Sequence, residues 1–182
     1  MASTMEKHIK FIAFIFLILC MSCQKTQTED DSPEYIVFAH EILNTLAHEM
    51  EKEYGLHCIG NGGGMPHDVE ELSVNFIAYQ RASIDEAREL EVKVTERFLE
   101  IINSHKNIRP FLREYPFHAN RAQVILSFRK ENNTFYSDGS VNYTFQVKNT
   151  IFYFGENGSK VRIELAKEPY EEAKIKVLGV DF

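Results

Sequence analysis

Two long stretches each carry their apolar residues on a single helical stripe, and this limits the fold more than any other feature of the chain. Ser32-Pro33-Glu34 opens the first, with serine as the cap and proline at the first helical position. Tyr35, Phe38, Ala39, Ile42, Leu43, Leu46, Met50 and Tyr54 then recur at helical spacing, and Gly55 is a natural stop. The second stretch begins at Ser83-Ile84-Asp85-Glu86, which fits a capping box, and runs to about Ser104. Its stripe is Ala87, Leu90, Val94, Phe98, Ile101 and Ile102, and Glu89 and Lys93 stand four apart on its polar side. A one-sided helix must bury its stripe against a second layer. Two of them call for one face of a sheet.

The strands that could supply that face alternate in polarity. In Glu71 to Gln80, Leu72, Val74, Phe76 and Ala78 share one face, and Ser73, Asn75, Ile77 and Tyr79 share the other. Ala122 to Arg129 alternates in the same way through Ala122, Val124, Leu126 and Phe128. Lys130 to Ser140 reads as a long turn. The next strand carries Val141, Tyr143, Phe145 and Val147, and Ile151 to Phe154 either continues it past a kink at Asn149 or forms a separate strand. Asn157-Gly158 is a hairpin signal leading to Val161, Ile163 and Leu165, and Pro169 opens a short last helix ending near Gly179. The resulting expectation is a two-layer α+β fold: an antiparallel sheet of four to six strands packed against two long helices, with a short C-terminal helix. The second sheet face is expected to hold Asn142, Thr144, Gln146 and Lys148 together with Ile77, Tyr79 and Ile125. That mixed surface needs cover from the last helix, the long turn or a partner.

The N-terminus has a different character. Lys7, His8 and Lys10 precede an unbroken apolar run from Phe11 to Met21, the layout of an export signal. The run is shorter than the roughly 20 residues that cross a bilayer comfortably. Polar sequence begins directly after Ser22-Cys23, at Gln24-Lys25-Thr26. This junction resembles that of a bacterial lipoprotein signal, although Cys20 stands where such signals usually carry leucine. The resemblance implies a signal over residues 1–22, a palmitate-type acylated Cys23 at the new N-terminus, a polar tether over 23–31 and one α+β domain over 32–182. Several acyl chains on one cysteine exceed the two signals that stable anchoring needs. Gln24 after the cysteine resembles an outer-membrane sorting signal. A secreted protein with a plainly cleaved signal is the alternative.

Composition excludes some partners. The net charge is −7 and the basic residues are scattered, so nothing suits a nucleic-acid backbone. With Cys20 and Cys23 set aside, only Cys58 of the three cysteines remains, and it has no partner for an internal disulfide.

The first candidate site is the segment Gly60-Asn61-Gly62-Gly63-Gly64-Met65-Pro66, expected to be a flexible loop. The phosphate-loop pattern fails, because Met65-Pro66 stands where Lys-Ser/Thr is required; the dinucleotide fingerprint fails because no helix follows. A ligand or partner contact through Gly60, Gly62, Gly63, Gly64, Met65 and His67 remains, beside the plain reading of a turn. Cys58 and His67 are weak candidates for a thiolate nucleophile and its base, as in a small hydrolase. His57, Cys58 and His67 lack any recognised zinc spacing, so neither metal nor cofactor is expected. His40, Asn44, His48 and Glu51 lie on one helical face but miss the zinc-protease pattern twice, and read as a solvated face. Arg109 to Phe117 mixes arginines, prolines and aromatics, and suits an edge of the core or a partner ridge.

The signal ending at Cys23, the segment IGNGGGMP from Ile59 to Pro66 and the segment IRPFLREYPF from Ile108 to Phe117 together resemble small uncharacterised lipoproteins of Gram-negative bacteria, those of chlamydia-like organisms among them. The resemblance implies a lipid-anchored envelope protein and brings no activity with it. The functional expectation is therefore a non-enzymatic binding or interaction module tethered to the bilayer through Cys23. It would bind a protein or small ligand, or a second copy of itself; a purely structural envelope protein is the bland alternative.

Overall fold

A computed structural model describes residues 32–179, so the signal, Cys23 and the tether lie outside the described residues. The elements follow the order α1 (Glu34–Tyr54), β1 (His57–Gly64), β2 (Glu71–Ala78), α2 (Ile84–Ser104), β3 (Ala122–Phe128), β4 (Tyr143–Val147), β5 (Thr150–Glu156), β6 (Arg162–Pro169) and α3 (Tyr170–Leu178). The fold is α+β, as the pattern predicts: six strands in one sheet, in spatial order β1 to β6, with three helices. The sheet is mixed rather than wholly antiparallel, because β2 and β3 run parallel. A parallel pair needs a long crossover, and α2 with the turns after it supplies one.

Local signals explain the helix ends. Gly55 is left-handed at φ 65°; its N–H donates to Glu51 O, and the Leu56 N–H donates to Met50 O. This closes the last turn of α1 and buries Leu56 completely. At α2 the capping box forms in both directions, with Glu86 N–H donating to Ser83 Oγ at 3.3 Å and Ser83 N–H donating to Glu86 Oε2 at 2.8 Å. Pro33 lies one residue before α1 rather than in its first turn.

The core sits between the helices and one sheet face. Ile42, Leu43, Leu46 and Met50 of α1 and Val94, Phe98 and Ile102 of α2 meet Leu72, Val74 and Phe76 of β2 and Val124, Leu126 and Phe128 of β3. The segment after α2 makes two 3-10 turns, at Arg109–Phe111 and Ala119–Arg121, and seals this core with Ile108, Leu112 and Phe117. α3 joins the helical layer, where its buried Tyr170 donates to Glu96 of α2 at 2.7 Å.

The expected parity of β4 is reversed. Leu126 pairs with Thr144 and Ile125 with Phe145, so Thr144 and Gln146 turn toward the helices while Tyr143 and Phe145 face the other side. Lys148 and Asn149, both at positive φ, form a two-residue hairpin, and β5 is a separate strand. Beneath α2 the reversal creates a polar seam. Glu91 and Thr95 of α2 are wholly buried against Thr144 and Gln146. Thr144 donates to Glu91 Oε2, yet Glu91 Oε1, Thr95 Oγ1 and Gln146 Oε1 have no hydrogen-bond partner. Burial pushes the Glu91 carboxyl up to about 8, against the pull of the Thr144 hydrogen bond. Glu168 of β6 shows the contrast. Burial raises it too, but hydrogen bonds from Lys176, Arg88 and Tyr153 outweigh burial and hold its carboxyl below the usual range.

Glu91 makes stability depend on pH in a defined direction. Its folded pKa lies above the unfolded value, so the folded protein keeps a proton that the unfolded chain releases between about pH 4.5 and 8. This contribution to stability is lost as pH rises through that window. Glu91→Gln keeps an acceptor for Thr144 and adds a donor to a seam of unpaired oxygens. Thermal melts are expected to show the variant more stable than the parent by on the order of a few kcal/mol at pH 8, with the gap closing toward pH 4.5.

Candidate binding surface

The glycine-rich segment is a strand, not a loop. His57 to Gly64 forms β1, whose inner edge pairs antiparallel with β2 through Gly60↔Asn75, Gly62↔Ser73 and Gly64↔Glu71. β1 stands last in the sheet, so its other edge pairs with no strand among the described residues. Alternation over a glycine run is invisible to a hydropathy pattern, which is why the segment reads as a loop in the sequence. Its glycines are not equivalent. A Cβ on Gly63 would come within 2.2 Å of the Glu71 carbonyl oxygen, whereas one on Gly62 would meet only Ser73 Oγ at 3.9 Å and one on Gly60 only Asn75 Nδ2 at 3.7 Å. Gly63 is therefore required by packing, while Gly60 and Gly62 are not.

The other candidates separate in space. Cys58 is half-buried against the core, and its thiol donates to Gly60 O at 3.7 Å. His67 is exposed in the turn beyond Gly64, at the far end of β1. At roughly 3.3 Å per residue the intervening strand spans about 20 Å, so β1 itself holds the two side chains apart. His57 packs on Tyr79 with ring centres 5.4 Å apart, on the opposite side of the strand from Cys58. Met65 is half-buried against the core. The β1–β2 turn is pinned from outside: Arg113 donates to Asp68 and pairs with Glu70, and Val69 bridges to Leu112. His40, Asn44, His48 and Glu51 are all exposed. No group of three or more His, Cys, Asp or Glu side chains among the described residues could hold a metal ion.

A second surface comes from the reversed parity of β4. On the sheet face away from the helices, Phe145 pairs across strands with Ile125 and Phe152, and Tyr143 with Phe154. Phe145 stacks on Phe152 and Phe154 with ring centres 5.2 and 5.5 Å apart and planes within 19° and 4° of parallel. The long turn after β3 reaches one end of this face, where Phe135 meets Tyr143 edge-on at 5.2 Å and Tyr79 donates to Asn133 at 3.1 Å. α3 does not cover it, being packed with α2 on the other side. Between β1 and β4 the face sinks into a hollow of about 420 Å³, floored by Asn75, Ile125 and Ser127 and walled by Ile59, Tyr143 and Phe145. Sequence reading puts Tyr79 on this face but assigns Tyr143 and Phe145 to the core side, and it leaves the face of Phe152 and Phe154 undecided.

No protein-family model, curated protein or solved structure matches the chain.

The two kinds of glycine separate in a stability series. Gly63→Ala is expected to lower the urea midpoint by the equivalent of about 2 kcal/mol or more, since backbone must move to admit the methyl group. Gly62→Ala is expected to stay within about 1 kcal/mol of the parent, because a compatible backbone position gains from a stiffer unfolded chain.

Proposed function

We propose that this chain is a non-enzymatic binding module, held at a bacterial envelope by acylated Cys23 and offering the outer edge of β1 to an extended peptide segment of its partner. The observation that carries this reading is the exposed edge of β1. Strand edges are normally blunted by charge, proline or a covering element. Here the edge presents Asn61, Gly62, Gly63 and Gly64, with neither a charged side chain nor a proline among them. An added strand gains main-chain hydrogen bonds there without having to displace a side chain. The bulge between Cys58 and Gly60 limits the pairing length to the glycine half of the strand. The separation of Cys58 from His67 favours contact over nucleophilic chemistry. No helix among the described residues is long and apolar enough to cross a membrane, and the anchoring in this reading falls to the lipid on Cys23.

Two measurements test the two halves of the proposal. Intact-mass analysis of protein recovered from bacterial membranes is expected to show an N-terminus at Cys23 carrying acyl chains, lost in Cys23→Ser. An unmodified N-terminus further along would overturn the anchoring. A photo-crosslinking amino acid in place of Asn61 is expected to give a discrete adduct in the native cell. Adding Gly62→Lys, which the space beside Ser73 admits, should abolish that adduct by placing a charge on the edge. An adduct that survives the lysine, or no adduct at all, would remove β1 as the contact, and an adduct of twice the chain mass would identify a second copy as the partner.

A further inference from the structure

The hollow on the open sheet face has a ligand chemistry of its own, independent of the β1 edge. Two arginines stand over it, and both rest on its aromatic walls. The Arg162 guanidinium lies 4.8 Å from the centre of the Tyr143 ring and donates to the Tyr143 hydroxyl at 2.9 Å. The Arg129 guanidinium lies 5.0 Å from the centre of Phe135 and donates to Ser127 at 3.0 Å. Neither has a carboxylate partner among the described residues. Arg81, Arg88, Arg97, Arg113 and Arg121 are each paired with Asp or Glu, and Arg109, the third arginine without a carboxylate, spends its donors on the Asn103 carbonyl away from the hollow. Each guanidinium is attracted to a ring and keeps further N–H donors for an anion.

The walls define the rest of the ligand. Phe152 and Phe154 stack on Phe145 from the β5 side, and neither lines the hollow. The hollow therefore lies on the β3 side of Phe145, where Ile59 and Ile125 complete an apolar slot. A ring entering that slot would join the cluster of three near-parallel rings that Phe145 forms with Phe152 and Phe154.

We propose that this hollow binds a small aromatic carboxylate, its ring beside Phe145, Tyr143 and Ile125 and its anionic group bridged by Arg129 and Arg162. The contribution of charge and ring separates by titration. The full chain is titrated with 2-naphthoate, followed by the anisotropy of the probe's own fluorescence, and in parallel with the neutral 2-naphthylmethanol and the cationic 2-naphthylmethylamine. Saturable binding of naphthoate is expected, on the order of tenfold tighter than the alcohol, with the amine weakest. Arg129→Gln with Arg162→Gln should bring naphthoate to the level of the alcohol while leaving circular dichroism unchanged, since both side chains lie at the surface of the fold. Phe145→Leu should weaken naphthoate and alcohol alike. Absence of saturable naphthoate binding, equal binding of all three probes, or naphthoate affinity unchanged in the double arginine variant would each overturn the site. None of these results bears on the Asn61 crosslink, so the two proposals fail separately.

Discussion

The parallel pairing of β2 with β3 is the constraint from which the rest of the structure follows. Its register sets Leu72 beside Ala122, Val74 beside Val124, Phe76 beside Leu126 and Ala78 beside Phe128, so two alternating strands deliver one continuous apolar face. α2 is the crossover that makes the parallel pair possible and the helix that covers it. β1 adds to the outer side of β2 while β4, β5 and β6 follow β3, so β1 and β6 are the two edges and the glycine run acquires an outer side. The same pairing passes its register on to β4. Because Leu126 points to the helices, its cross-strand neighbour Thr144 does too, and Phe145 is turned to the opposite face.

That handover has a cost inside the sheet and an opportunity outside it. Inside, it buries a carboxyl, two hydroxyls and an amide beneath α2, with three oxygens left unpaired. The fold tolerates Glu91 by keeping its proton, whereas Glu168 at the α2–α3 corner remains ionised because Arg88, Lys176 and Tyr153 converge on it. Outside, the handover gathers five aromatic rings and two stacked guanidiniums on a face that the helices do not reach. An edge strand built from glycine and a face built from aromatics are different kinds of surface. The first presents main-chain hydrogen-bonding groups, and the second presents ring faces and fixed cations. The proposed peptide contact and the proposed anion site thus rest on different kinds of surface.

Much of this was legible from residue order. The helix ends follow from Ser83, Glu86, Gly55 and Gly179, whose preferences are local. The inward faces of β2 and β3 follow from strict alternation, and the seal formed by Ile108, Leu112 and Phe117 from an apolar segment broken by proline. The candidate surface was legible only in part. The glycine run is conspicuous in sequence, but glycine carries no alternation signal, so its strand character depends on β2 being there to pair with it. The aromatic hollow was hidden for the opposite reason. Tyr143 and Phe145 have the alternation of core residues, Phe152 and Phe154 lie in an unbroken apolar run, and apolar periodicity does not say which of two faces is covered.

The sequence by itself therefore determined the α+β class, the two long helices and the stripes by which α1 and α2 cover a sheet, and the inward faces of β2 and β3, because capping, turn chemistry and periodicity act over a few neighbouring residues. Only the tertiary structure decided the parallel pair within the sheet, the inward turn of Thr144 and Gln146, the raised pKa of Glu91, and the placing of Arg129 and Arg162, far apart in the chain, around one hollow. Each depends on cross-strand register, which is fixed by the summed burial of the whole sheet rather than by any one strand.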